Sequence, residues 1–349
     1  MHNSLGLSLY LSTFAAQCSA LRGPAGTGVP VFFSLHISEE FDETYCARVE
    51  EVCRWLTERG YRMIADVSVK TVEQFGCSDL TELARKLGLW ALRIDYGFSE
   101  EEIRDMAKKM PIVLNASTTT EEAAVRIAAK GGNVFAMHNF YPRPETGLDE
   151  ELLRETTRKL QRAGLKVLAF IPGDELRRGP LYEGLPTLEA HRKALPSAAF
   201  VDMSVRFGID GIFLGDPGIS QKEAERIDRY CRENVISVPA ELSAGYEYLY
   251  DQVFTCRVDS PRWLIRFQES RMYSCPGQTV KPDRCVVRKP GCITIDNEKY
   301  GRYSGEIMMI RELLPADDRV NVIGYVCDDA MLLLPCIRGG QKFVLVRPA

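Results

Sequence analysis

The sequence lacks the features that mark several protein classes. No run approaches the roughly 20 consecutive apolar residues that carry a helix across a bilayer, so no membrane partner is expected. Charge of one sign is not in excess: 44 Lys and Arg stand against 48 Asp and Glu, a net −4 without long runs of either kind. That balance offers no electrostatic footprint for nucleic acid or an anionic membrane surface, and a small anionic ligand would need a local basic site. There is no CxxC pair; the nearest cysteines are Cys46 with Cys53 and Cys285 with Cys292, and no Cys or His pair has the close spacing of a zinc site. Neither a structural metal nor a cofactor is expected. The eleven cysteines, odd in number and scattered from Cys18 to Cys336, read as reduced thiols rather than a disulfide framework.

Two further signals are incomplete. The segment LGLSLYLSTFAAQC is short and apolar like a lipoprotein leader, but no Lys or Arg precedes it, and Gln17 stands before Cys18 where a small residue would be needed. It reads as a first strand running into a helix, in a cytoplasmic protein. GPAGTG at residues 23–28 precedes a strand instead of opening a helix and has no GK[ST] ending, so it is rejected as a phosphate-cradling loop.

What is present is periodic. With 349 residues, 45% of them hydrophobic, one large domain plus a smaller one is the natural division. Eight short β-rich runs alternate with amphipathic segments: LGLSLY from Leu5, VPVFFSL from Val29, YRMIA from Tyr61, LWALRI from Leu89, PIVLN from Pro111, NVFAM from Asn133, LKVLAFI from Leu165 and GIFLG from Gly211. Strand and helix in strict alternation demand parallel strands with crossover helices, and eight units over residues 1–240 fit a closed (β/α)8 TIM barrel. ETYCARVEEVCRWLTERG shows the helical pattern, with Cys46, Val49, Val52, Cys53 and Leu56 on one face and Gly60 at its end. From 241 to 349 the texture becomes short apolar runs (RWLIRF, CVVR, CITI, EIMMI, RVNVIGYV, MLLLPCI, KFVLV) separated by turn formers, which reads as a small all-β barrel or sandwich. Trp263 and MLLLPCI are core by default, and SAGYEYLYDQV is the connection.

Barrel enzymes place their working residues at the C-terminal ends of strands and in the following loops. Here those positions hold His36, Asp66, Asp95, Asn115, the run HNFYPRPETG (His138, Asn139, Tyr141, Arg143, Glu145), a long loop with Asp174, Arg178, Glu183, Glu189 and His191, and finally Asp216. Asp66 and Asp95 each have a plain alternative as helix N-caps, and Asp216 in GDPGIS suits a turn before a helix. HNFYPRPETG, stiffened by two prolines, reads as a binding loop. Arg143 and Arg178 are the candidates for an anionic group, because a guanidinium fork matches phosphate oxygens; either has a neighbouring carboxylate as its alternative partner. The carboxylates suit paired acid and base or nucleophile chemistry. In the β region, IDNEKYGRYSGEI offers Asn297, Tyr300, Arg302, Tyr303 and Ser304, either as a polar hairpin or as a cover for the barrel mouth.

HNFYPRPETGL, IPGDELRRGPLYEGLPTLEAHR, GIFLGDPGIS and NEKYGRYSGEI together resemble the bacterial 6-phospho-N-acetylmuramidases, a family long labelled "outer surface protein", over nearly the whole chain. The resemblance implies a TIM barrel followed by a cyclophilin-like β domain, acting in cell-wall sugar recycling. It further implies hydrolysis of the β-1,4 bond between N-acetylmuramic acid 6-phosphate and N-acetylglucosamine, a phosphorylated amino-sugar disaccharide, in the cytoplasm. On that reading the catalytic pair comes from Asp66, Asp95 and Asp174. Arg143 or Arg178 holds the phosphate, and His36, Asn115, His138, Asn139, Tyr141, Glu145, Glu183, His191, Asp216 and Arg302 contribute to substrate binding. The rival readings are a sugar-phosphate lyase or isomerase, for which no Lys lies at a strand end (Lys70 is nearest), and a non-catalytic carbohydrate-binding protein.

Overall fold

The computed structural model describes residues 4–22, 26–35, 42–95, 97–129, 133–274 and 279–348. All eight anticipated strands form: β1 (Leu7–Leu9), β2 (Pro30–Ser34), β3 (Arg62–Val67), β4 (Ala91–Ile94), β5 (Ile112–Asn115), β6 (Val134–Met137), β7 (Lys166–Ile171) and β8 (Gly211–Leu214). They pair in parallel in sequence order. The ring closes at Gly6, whose amide donates to Ile212 O (2.8 Å) and whose carbonyl accepts from Leu214 N–H (2.8 Å). A Cβ at residue 6 would lie 2.5 Å from the Phe213 ring, so only glycine allows strands β8 and β1 to approach this closely.

Helices fill the crossovers: α1 (Phe14–Arg22), α2 (Tyr45–Glu58), α3 (Val69–Gln74), α4 (Leu80–Leu87), α5 (Glu100–Ala107), α6 (Glu121–Ala128), α7 (Glu150–Arg162), α8 (Pro196–Val205) and α9 (Gln221–Glu233). Their starts are written in the sequence. Asp79, Ser99, Thr120 and Asp149 each accept an amide of the first turn with their side chain.

Strand side chains alternate between the barrel interior and the helix layer. Phe32, Ile64, Ala91, Val113, Phe135, Met137, Leu168, Phe170 and Phe213 fill the interior as one buried cluster. Two residues further along the same strands stand Ser34, Asp66, Arg93 and Asn115, so the polar mouth is the next inward layer above an apolar plug.

The chain divides into two compact units, one of Met1–Pro196 with Phe207–Gln221, the other of Ser197–Arg206 with Lys222–Ala349. Helices α8 and α9 therefore group mainly with the second unit, where buried Glu223 accepts Ser197 N–H (2.9 Å) and pairs with Arg226. The second unit is built on β9 (Val235–Leu242), β10 (Val253–Thr255), β11 (Leu264–Arg266), a short helix α10 (Ser270–Ser274), β12 (Cys292–Asp296), β13 (Ile307–Ile310), β14 (Val320–Val326) and β15 (Lys342–Val346). The strands form one sheet in the order β10-β15-β9-β14-β12-β13-β11, antiparallel except for the β9–β15 pair. The 240/241 division read from sequence runs through β9.

Three local expectations in this half are corrected. CVVR is no strand; Arg288 makes an isolated bridge to Leu314. MLLLPCI is no strand and begins inside a 3-10 turn, Asp328–Leu333, although it is core as expected, with Leu333, Leu334, Cys336 and Ile337 buried. Trp263 is 49% exposed rather than core, with Arg262 lying 5.8 Å from its ring. Among the described residues no helix is long and apolar enough to cross a membrane.

One buried acid gives the second unit a pH-dependent stability. Asp296 is buried at the end of β12, and that burial, with Glu306 beside it, pushes its carboxyl up to about 7. The folded state then holds a proton that the unfolded chain releases near pH 4. The stabilisation is fully present below that pH and is lost as pH rises through 7. Chemical unfolding is expected to show stability falling between pH 4 and 7 by at most about 4 kcal/mol, and Asp296→Asn should flatten that slope. An unchanged slope in the variant would assign the dependence to other groups.

Candidate active site

At the C-terminal end of the barrel a cavity of about 190 Å³ is lined by Asp66, Arg93, Asn139 and Tyr141, with Phe32, Phe140 and Phe170 as its apolar wall. The three phenylalanines pack edge to face, with centroids 5.1 to 6.3 Å apart. Asp66 is an acceptor on both oxygens: Leu35 N–H donates to Oδ1 (2.8 Å) and Ser34 Oγ to Oδ2 (3.2 Å), while Arg93 Nη1 lies 3.8 Å from Oδ2. Arg93 is 5% exposed. Its Nη2 donates to Asn139 Oδ1, and its Nε is buried with no hydrogen-bond partner among the described residues. Asn139 in turn donates to Ser117 Oγ (3.4 Å). A carboxylate, a guanidinium and an amide thus share one small concave surface with aromatic faces, the composition of a site for a polar ligand with some apolar surface.

Two buried devices hold the loops around this cavity. Asp216, fully buried at the end of β8, accepts Gly173 N–H (2.8 Å) and Leu185 N–H (3.0 Å) on Oδ2 and Arg178 N–H (3.1 Å) on Oδ1. Burial pushes its carboxyl up, opposed by those three amides. Arg192 forks onto Glu189, both distances being 2.6 Å, and also donates to the carbonyls of Tyr141 (3.0 Å) and Gly184 (3.0 Å). Glu189 accepts the amides of Glu145 (2.9 Å) and Gly147 (2.8 Å), and the Arg192 contact above all holds its carboxyl down to about 2. This charge-assisted staple fastens the loop after β6 to the loop after β7. Buried Thr187 joins the same two loops, accepting Phe170 N–H and donating to Asn139 O, each at 2.9 Å.

Arg178 is held by its surroundings rather than by a carboxylate. Its guanidinium lies 4.8 Å from the Tyr10 ring and 5.9 Å from the Phe140 ring, and donates no hydrogen bond among the described residues. Tyr10 is fully buried and donates to Gly215 O (2.5 Å); burial keeps its hydroxyl protonated.

A family model described as "6-phospho-N-acetylmuramidase, N-terminal" matches residues 5–229, and one described as "6-phospho-N-acetylmuramidase, C-terminal" matches residues 236–346. The chain belongs to the 6-phospho-N-acetylmuramidase family. Among solved structures it is similar to a conserved Enterococcus faecalis protein of unknown function, with 32% identity, 99% of this chain and 97% of that one covered, and a TM-score of 0.84. An uncharacterized B. cereus protein shares the fold at 23% identity, with 99% and 100% covered and a TM-score of 0.79. No curated protein matches the sequence.

Of the residues singled out from this family member's sequence, the fold brings Asp66, Asn139 and Tyr141 to one cavity. Asp95 lines another, of about 200 Å³, where α5 and α6 meet the ends of β4 and β5; Asn115 Nδ2 reaches back to it (3.2 Å). Asp174 is exposed and accepts the amide (2.8 Å) and hydroxyl (2.6 Å) of Ser220, tying the loops after β7 and β8 together. His138 points away from the interior and is fully buried, its Nε2 3.0 Å from Thr157 Oγ1 on α7; burial pushes it down to about 4. His191 is buried in a 3-10 turn. Arg143, Glu145 and Glu183 are exposed, Glu145 at φ 69°. Arg302 belongs to the second unit, its Nη2 donating to Tyr303 Oη (2.8 Å). His36 lies outside the described residues.

Sequence reading named Glu189 among the loop carboxylates but missed Arg93 and the fork of Arg192 onto Glu189. The signal for Arg93 was available: it is two residues beyond inward-facing Ala91, and a charged residue inside a short apolar strand faces either the mouth or a buried partner.

Proposed function

We propose that the barrel is a glycoside hydrolase acting in the cytoplasm on the β-1,4 bond between N-acetylmuramic acid 6-phosphate and N-acetylglucosamine. The supporting observation is the Asp66–Arg93–Asn139–Tyr141 cluster over an aromatic wall, in a chain matched by the family along both halves. Asp66 collects hydrogen bonds on both oxygens and so suits the base or nucleophile, not the proton donor. Its partner carboxyl is drawn from the other two candidates: Asp95 lies one strand away in the neighbouring cavity, and Asp174 is exposed on the loop after β7. A carboxyl separation of roughly 5 Å gives retention of anomeric configuration, and roughly 6.5–9.5 Å gives inversion. Arg178 is the better phosphate ligand of the two arginines first considered. Its guanidinium is oriented by Tyr10 and Phe140 and its backbone is pinned by Asp216, whereas Arg143 is exposed.

The test is to incubate the protein with the 6-phosphorylated and the unphosphorylated muramyl disaccharide, following products by mass spectrometry and anomeric configuration by NMR. Cleavage confined to the phosphorylated substrate is expected. No cleavage, or equal cleavage of both, removes this reading.

A further inference from the structure

We propose that the second unit carries an oxyanion site for inorganic phosphate or a phosphate monoester, in the cavity between the Ser260–Arg262 turn and the segment around Arg338. This cavity measures about 360 Å³, within the range of small-ligand sites. It is lined by three arginines, Arg262, Arg311 and Arg338, with Ser260, and by no acidic side chain.

The three cations are not equivalent. Arg262 forks onto Glu312 (3.0 and 3.2 Å) on the open surface, so its charge is already answered. Arg311 is different. Its Nε donates to Leu334 O (3.1 Å), its Nη1 to Pro261 O (3.1 Å) and Leu264 O (3.3 Å), and its Nη2 to Ile337 O. Those carbonyls fix the guanidinium in place and use four of its five N–H donors, yet no carboxylate among the described residues neutralises it. Arg338 shares the cavity and spends only its Nε, on Pro335 O (3.2 Å). Burial pulls the Arg311 guanidinium down from its usual range; the Cys256 thiol hydrogen-bonded to it opposes that shift, and the like charge of Arg338 adds to it. Two cations therefore face one concave surface without a counter-ion. Ser260 Oγ accepts Arg266 N–H (3.0 Å), which leaves its own O–H free to donate.

A tetrahedral oxyanion answers all of this at once. It accepts from the planar end of Arg338 and from the Ser260 hydroxyl, answers the charge of the fixed Arg311 guanidinium, and removes the repulsion between the arginines. The site lies entirely within the second unit and owes nothing to the reading of the barrel.

The experiment titrates inorganic phosphate, and separately glucose 6-phosphate, into the full-length protein at constant ionic strength, with chloride as the matched control. Heat and thermal shift are read in wild type, Arg338→Ala, Arg338→Glu and Arg178→Ala. Arg338 is exposed, so its variants are expected to fold. Loss of a charge-assisted bond predicts at least ~10-fold weaker binding in Arg338→Ala, no measurable binding at this site in Arg338→Glu, and a component that survives in Arg178→Ala. Tighter binding of the sugar phosphate than of phosphate identifies a monoester ligand; equal binding identifies the free ion. A chloride control that gives the same shift, or phosphate binding undiminished in both Arg338 variants, overturns the proposal.

Discussion

Replacing Asp66 by Asn is expected to lower hydrolysis of the 6-phosphorylated disaccharide by on the order of 10³-fold, the middle of the range a positioned acid–base group supplies. The amide keeps the shape and still accepts Leu35 N–H through its oxygen, so the substitution removes mainly the charge. Two further effects follow from the surroundings. Arg93, 5% exposed, loses the anion beside it, which lowers thermal stability by ~1–3 kcal/mol because a buried cation is left less compensated. Freed from Asp66, Arg93 also loses one of the two contacts that aim it, the other being Asn139. Turnover should therefore be compared with circular dichroism and a thermal melt on the same sample. A folded Asp66→Asn protein with wild-type turnover would take Asp66 out of the chemistry and return the assignment to Asp95 and Asp174.

The largest stability loss is expected at Asp216. Asp216→Ala leaves the amides of Gly173, Arg178 and Leu185 without their acceptor, in a place where Asp216 itself is fully buried. An unsatisfied buried amide costs about 1–3 kcal/mol. With partial rescue by entering water, the variant should unfold at least ~3 kcal/mol more readily in urea. The loss should be local before it is global, with the loop after β7 becoming the first site of protease cleavage. Asp216→Asn recovers only part of the stability, because it offers one carbonyl oxygen to three donors. Equal urea midpoints for Asp216→Ala and wild type would mean that the three amides are satisfied by other groups.

The same residue shows what the sequence conveyed and what it withheld. GDPGIS could be read as a turn or as a binding position, and Asp216 turned out to organise a loop 31 to 43 residues earlier in the chain. No local pattern encodes that. The eight strands were legible because each is a short apolar run bounded by turn or capping residues. The helix starts were legible because Asp79, Ser99, Thr120 and Asp149 are capping residues standing before amphipathic segments. Neighbouring residues were harder to separate. In HNFYPRPETG, His138 and Asn139 looked alike as candidates, yet strand alternation sends Asn139 to the mouth and His138 to the helix layer. Arg93 is masked by its setting, a single charge inside the apolar run LWALRI and not in the loop beyond it. In the second unit, β9 was hidden by Pro239, which argues against a strand, and by its parallel pairing with the distant β15. MLLLPCI is apolar on every side, so it carries no period by which strand and turn could be told apart.

The interleaving of the two units bears on how this protein can be made and divided. Ser197–Arg206 belongs to the second unit although it is flanked on both sides by segments of the first. No single cut in the chain therefore leaves both units whole. A truncation after β8 strips α8 of α9, and one before α8 removes β8 from the barrel ring. Synthesis meets the same constraint: β15 lies between β10 and β9 in the sheet but leaves the ribosome long after both. Until it arrives, two strand edges stand open, so the nascent chain is most exposed to mispairing just before β15 emerges.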